Sequence, residues 1–453
     1  MPRGESSAAS ENLNDDMVLF PISADESASL MHYLDNVFPL QYPMYRPSTL
    51  MGGRGWLLAL LLRMKPLYHA TLAVSLYHRR KINITDIVHH PCRVAVLVEQ
   101  EKHLEICLTE FQKVLRSANK CLKNISCAKL GYRIIALVVQ LIFFEFFTGQ
   151  GSEWKIHLRA ATNAYERRFR DGLVDFGLDP RSKTIMCGSR LLSEDDGAEV
   201  MEEVMIFKFF TGTIIWLDII SSITAGTAPL LMVYHLRDIA SNSSQIRLDE
   251  IMGCKNRIML QIAHIAALHE HKTKVQQEGH LVNTGLEEAV SDIRREIQSA
   301  FTQAASEGFS FPDSSNTGMT SNSTLALDSC TLVTHMFSRM ASIYLHLVAY
   351  GFQKLELLDT DICTAMGMLY TQVPSHLLRS MVCPLYVIGS VARQEEERVF
   401  FRNVFSSPPL QDPLFEHRAK ILPALEEIWR RRQYTNGLTW GDSLELVPNL
   451  LLL

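Results

Sequence analysis

Along most of this chain hydrophobic positions recur with the period of a helix. In EQEKHLEICLTEFQKVLRSANKCL (99–122), Leu104, Ile106, Leu108, Phe111, Val114 and Leu115 gather largely on one side. RLDEIMGCKNRIMLQIAHIAALHEHK (247–272) repeats apolar residues at Leu248, Ile251, Met252, Ile258, Met259, Ile262, Ile265 and Ala266. LFEHRAKILPALEEIWRRR (414–432) does so at Ile421, Leu422, Leu425, Ile428 and Trp429. Three runs are apolar nearly all round: WLLALLL (56–62), IIALVVQLIFFEFF (134–147) and VMIFKFFTGTIIWLDII (204–220). All are shorter than about eighteen residues or broken by Gln140, Glu145, Lys208 or Asp218, so they read as core helices and not as membrane spans. Strand signals are few, with no ladder of alternating β-branched runs closed by tight Asn-Gly turns. Loops are predicted at 81–92, 171–197, 307–323 and 406–413, and no strict repeat is present. The pattern predicts an all-α fold, a large multi-helix array over 24–453, behind a disordered polar tail at 1–23 rich in Ser, Asn and Asp.

Composition sharpens this only at the edges. The 453 residues are 47% hydrophobic and 21% charged, the balance of a globular protein with a large core. A formal charge of −5 speaks against a surface built to grip phosphates by itself. The cysteines at 92, 107, 121, 127, 187, 254, 330, 363 and 383 never form C-x-x-C, which suits reduced thiols packed as small hydrophobes. The acidic N-terminal stretch lacks the apolar segment of a signal peptide.

Candidate chemistry is thin. In LIFFEFFTGQGSEWKIHLRAA (141–161), Glu145 and His157 could be an acid and a base. Yet Trp154, His157, Leu158, Ala161 and Tyr165 fall at i, i+3, i+4, i+7 and i+11, placing His157 on an apolar face. It reads as a core histidine whose partner across a helical hairpin is Glu145. HEHK (269–272) lacks the second histidine of a zincin motif, and His264, His269 and His271 lack a converging i, i+4 spacing. His89 and His90 precede a proline and read as a turn. Asp195, Asp196 and Glu199 in DDGAE match the aspartate-rich pattern by which all-α terpene cyclases hold magnesium and diphosphate. Asn242 and Glu250 have the outer spacing of a second magnesium motif, but Ile246 stands where a hydroxyl ligand belongs and the 47-position offset from Asp195 to Asn242 is short. No G-x-S-x-G elbow or P-loop occurs, and MGGRGW (51–56) reads as a turn. The basic clusters HRRK (78–81) and RRRQ (430–433) sit at apparent helix ends, the second doubling as a weak nuclear-import candidate.

The succession of phrases adds what chemistry does not. EWKIHLRAATNAY resembles the W-x-x-HL-x-x-A helix of the fungal-specific transcription factor domain, acriflavine-sensitivity type. The resemblance continues through FKFFTGTIIWLDIISSITAGTAPLL, IMGCKNRIMLQIAHIAAL, ASIYLHLVAYG, VPSHLLRSMVCPLYVIGSVA and ALEEIWRRR, covering roughly 27 to 445 in the family's order. It implies the helical regulatory region of a transcription regulator, nuclear, self-associating as a homodimer, and answering to a partner or small effector. It implies no enzyme activity, cofactor, metal or membrane, and a set of metabolic or biosynthetic genes as target. Family members read DNA through a binuclear zinc cluster of six cysteines near the N-terminus. Here no cysteine precedes Cys92, so no DNA-binding residue is assigned. The expectation is that promoter DNA is reached directly only through a cluster upstream of this chain, and otherwise through a partner regulator. His157, Trp216, Asp218, Gly253 and Cys254 match recurring family positions and read as framework; Phe143, Phe144, Phe146 and Phe147 are core, or the lining of a ligand pocket. The reading from another class is a terpene-cyclase-like enzyme working through Asp195, Asp196 and Glu199.

Overall fold

The computed structural model describes residues 21–49, 52–82, 90–120, 125–149, 154–170, 176–178, 185–187, 190–191, 197–241, 244–278, 285–307, 328–412, 414–435, 437–447 and 450–453. The expected tail therefore lies outside the described residues, save for its last three. Ser23 opens the first helix with a capping box: its hydroxyl accepts the Glu26 amide at 3.2 Å and its own amide donates to Glu26 Oε2 at 2.9 Å.

The helices follow in order: α1 (Ala24–His32), a π-helical turn (Tyr33–Val37), α2 (Phe38–Gln41), α3 (Gly55–Arg63), α4 (Lys65–Ile82), α5 (His90–Lys120), α6 (Ile125–Thr148) and α7 (Trp154–Arg170). Then come α8 (Gly197–Ala225), α9 (Met232–Asp238), α10 (Leu248–Met252), α11 (Asn256–Gln277), α12 (Leu286–Glu307) and α13 (Ser329–Tyr350). α14 (Asp359–Thr371), α15 (Val382–Ser390), α16 (Glu395–Phe405), α17 (Ile421–Tyr434) and α18 (Trp440–Leu444) complete the chain. The array is all-α but for three short strands, β1 (Phe176–Leu178), β2 (Ile185–Cys187) and β3 (Arg190–Leu191), which pair antiparallel in the order β1-β2-β3. They fall where a plain loop is expected; β-branched and aromatic residues there are too few to give a strand signal.

Neighbours in sequence are neighbours in space. α4 pairs with α5 and α6 with α7 as long hairpins; α6 also packs on α4 and α8, and α8 on α11. α11, α12, α14 and α15 all pack on α13, and α15 carries the packing on to α17. α13 is buried on nearly every side, from Thr331 through Val348, with Arg339 and Ser342 the half-exposed exceptions. A helix so enclosed needs apolar residues all round, which is why its sequence shows so little polar face. α8 is the same kind of element. Its Glu202–Ala225 stretch is long and apolar enough to cross a membrane, yet it is mostly buried among other helices. α12 instead shows one stripe, Val290, Ile297 and Ala300, under a charged outer face.

The continuous helix expected over 247–272 is broken. Gly253 takes a left-handed backbone, φ +88°, and ends α10, and Lys255 is extended before α11 begins. A side chain at Gly253 would meet Met44 Cγ at 2.8 Å and Val333 Cγ1 at 3.2 Å, so glycine is needed both for the turn and for the close approach. The pattern over 414–432 is likewise split, into a 3-10 turn (Glu416–Lys420) and α17.

Candidate functional site

The candidate site centres on the C-terminal end of α8 and the turn that follows. α7 presents Trp154, Leu158, Ala161 and Tyr165 inward, all buried as their spacing predicts, while His157 on the same helix is half-buried. Asp218 on α8 is 1% exposed and accepts three hydrogen bonds. The amides of Leu230 and Leu231 donate at 2.9 and 2.8 Å, and His235 Nε2 lies 2.9 Å away. The carboxylate thus replaces the water that the buried Leu231 amide and His235 ring lose, and it pins the 226–231 turn and α9 to α8. An Asp–His pair also suits catalysis, but among the described residues no hydroxyl or thiol is bonded to His235. Ser221 and Ser222, which follow Asp218 on α8, donate to helix carbonyls. The contacts the pair makes among the described residues are those of a structural lock on the turn.

Beside this lock lies an open cleft of about 600 Å³, walled by Trp154 and Leu158 of α7, Ser222 and Thr224 of α8, and His269 and Thr273 of α11. Gly226, φ +67°, lets the turn pass its floor: a Cβ there would sit 3.1 Å from Leu444 Cδ1 and 3.3 Å from His269 Cε1. Burial, then Lys272, lowers the pKa of His269 to about 4, so the cleft meets a neutral imidazole. Volume and lining suit a small organic ligand.

A second, smaller and narrower cavity of about 30 Å³ lies among Phe143, Phe146, Trp216, Phe337, Arg418 and Leu452. Arg418 is 6% exposed, stacks 3.8 Å over Phe415 and donates from Nε to the Leu453 carbonyl at 2.9 Å. Burial, then neighbouring Arg379, lowers its pKa to about 9 against an upward pull from Asp412. Periodicity did not single this arginine out, because EHRAK reads as an ordinary solvated helix end. The aromatic run is core, Phe143, Phe144, Phe146 and Phe147 all being buried, and only the first and third touch this cavity.

The other candidates do not converge. Asp195, Asp196, Asn242 and His89 lie outside the described residues, as do the side chains of Glu199 and His90. Glu250 is exposed on α10. His264 is half-buried, His269 buried and His271 exposed on α11, and none belongs to a metal-capable cluster among the described residues. Trp216 and Cys254 are buried. Arg432 of the RRRQ cluster donates to the Ser390 and Ala392 carbonyls at 2.9 Å each, and Arg430 and Arg431 pair with Glu427.

Known proteins place this architecture. Residues 29–452 match the family model described as the fungal specific transcription factor domain. The chain is 42% identical over 437 residues to the "Pestheic acid cluster transcriptional regulator 3" of Pestalotiopsis fici, across 96% of this chain and 76% of that protein. It is 27% identical to the "Trichothecene biosynthesis transcription regulator TRI10" of Trichoderma arundinaceum, across 90% of this chain and 92% of that one. It is 25% identical to the "Transcription factor dibT" of Pestalotiopsis microspora, across 94% and 70%. No solved structure matches. Matched from its first helix to its last leucines, the chain belongs to the fungal-specific transcription factor domain family and is a fungal regulator of transcription.

Proposed function

We propose that residues 24–453 work in the nucleus as one regulatory unit controlling a set of biosynthetic genes of secondary metabolism. The observation that carries this is the 42% identity to a cluster regulator across 96% of the chain. Promoters are reached through a zinc cluster outside this chain or through a partner regulator, and the helical array supplies the surface for that partner or for a second copy. The cleft beside Asp218 supports a small-molecule effector, since its volume falls in the range of ligand sites. The magnesium-diphosphate reading has no such support, its relatives being named as transcription regulators.

Deleting the gene and profiling transcripts tests the proposal. A contiguous set of biosynthetic genes is expected to change together, and an unchanged transcriptome for every such set overturns the reading. A Thr224→Trp allele fills the cleft and is expected to uncouple the gene set from its inducing condition. Wild-type induction from that allele removes the cleft from the proposal.

A further inference from the structure

Three side chains far apart in sequence meet where α1 crosses the α4–α5 hairpin. Nδ1 of His69 on α4 lies 2.8 Å from Nδ1 of His103 on α5, with the rings 25° from parallel. The Glu26 carboxylate on α1 completes a triangle whose ligand atoms all lie within 4.8 Å of one another. Both histidines are buried, and Glu26 is half-exposed at the rim, which leaves an entry path from solvent. Its Oε2 is engaged by the Ser23 amide in the capping box, leaving Oε1 for another partner.

A second carboxylate lies close by, its Oε1 already accepting from Lys102 Nζ at 3.0 Å. Glu99, one turn before His103, places Oε1 3.4 Å from His103 Nε2. A proton held at Nε2 leaves a lone pair on Nδ1 pointing at His69, the carboxylate–histidine arrangement that orients metal ligands. The 2.8 Å contact between the two Nδ1 atoms is a hydrogen bond whose proton then sits on His69, and an ion entering the site takes that proton's place as His69 changes tautomer. Two nitrogens on a tetrahedral zinc sit roughly 3.3 Å apart, so the rings need to part by only about half an ångström to admit an ion. Cys107, one turn further on, stays out of the set: burial pushes its thiol up to about 12.

We propose that Glu26, His69 and His103 form a site for a divalent transition metal, zinc in the first place, that fastens α1 to the α4–α5 hairpin. Two imidazoles and one carboxylate suit zinc, and water takes the fourth position on the Glu26 side. The site shares no residue type but its metal with a six-cysteine cluster, and it does not depend on the gene set regulated.

The test uses the full chain, stripped with a chelator and titrated with zinc chloride by calorimetry and with cobalt(II) by visible absorbance. One equivalent is expected to bind, with the intense visible bands of four-coordinate cobalt and a raised Tm. The His69→Gln/His103→Gln double variant is expected to lose binding, and Glu99→Gln to weaken it at least about tenfold. Glu26→Gln leaves both histidines in place and is expected to cost at least about tenfold, which decides the matter where circular dichroism shows the double variant unfolded. No uptake by the unmodified chain, or uptake unchanged in Glu26→Gln, overturns the proposal.

Discussion

Asp218 shows how much one residue can hold together. It answers two amides and an imidazole while itself almost fully buried at the edge of the cleft. Asp218→Ala removes that partner from all three and is expected to destabilise the chain by about 3–5 kcal/mol in urea unfolding. A loss below about 1 kcal/mol would show that the turn rearranges without the carboxylate. The sequence marks this aspartate only as an acid inside an apolar run, so its burial is legible and its partners are not. The arginines show the converse. A charged residue near a helix end is read as solvated, and for Arg430 that holds, since it is exposed and paired with Glu427. Arg432 and Arg418 instead spend their donors on carbonyls of distant segments. Nothing local to either stretch separates the two cases, because the difference lies in which helix arrives from elsewhere. His69 and His103 are hidden for the same reason, 34 residues apart on two helices.

At the scale of elements, periodicity located the helices because each buries a face that its own residues define. It missed the breaks. Apolar spacing runs on through Met252 and Ile258, yet the chain turns at Gly253, whose left-handed backbone ends α10 where Met44 and Val333 leave no room for a side chain. Gly253→Ala must place a Cβ 2.8 Å from Met44 at a φ that L residues avoid, and is expected to cost about 2–4 kcal/mol. Adding Met44→Ala relieves the collision but not the backbone strain. The Gly253→Ala penalty measured in a Met44→Ala background is therefore expected to be smaller than in the native one, and thermal unfolding of the four proteins measures it. The strands escaped notice for a different reason, being two or three residues long.

At the scale of the molecule, burying so many polar side chains makes stability depend on pH. His78 and His269 are buried, and burial lowers both pKa values to about 4, with help from His32 and Lys272 respectively. An unfolded histidine titrates near 6.5. Between these values the unfolded chain takes up protons that the native chain refuses, so stability is full above about pH 6.5 and is lost as pH falls toward 4. About 1–2 kcal/mol per histidine is expected to disappear between pH 7 and pH 5. Urea midpoints across that range check this, and His269→Asn is expected to flatten the slope. α13 carries a different consequence, in the order of synthesis. It is the helix on which α11, α12, α14 and α15 pack, and it begins only at Ser329. A ribosome adding roughly 5–20 residues per second leaves the waiting faces of α11 and α12 uncovered for several seconds. The unfinished chain is therefore a client for chaperones, and a nascent chain stalled before Ser329 should recruit them where one stalled well beyond Tyr350 does not.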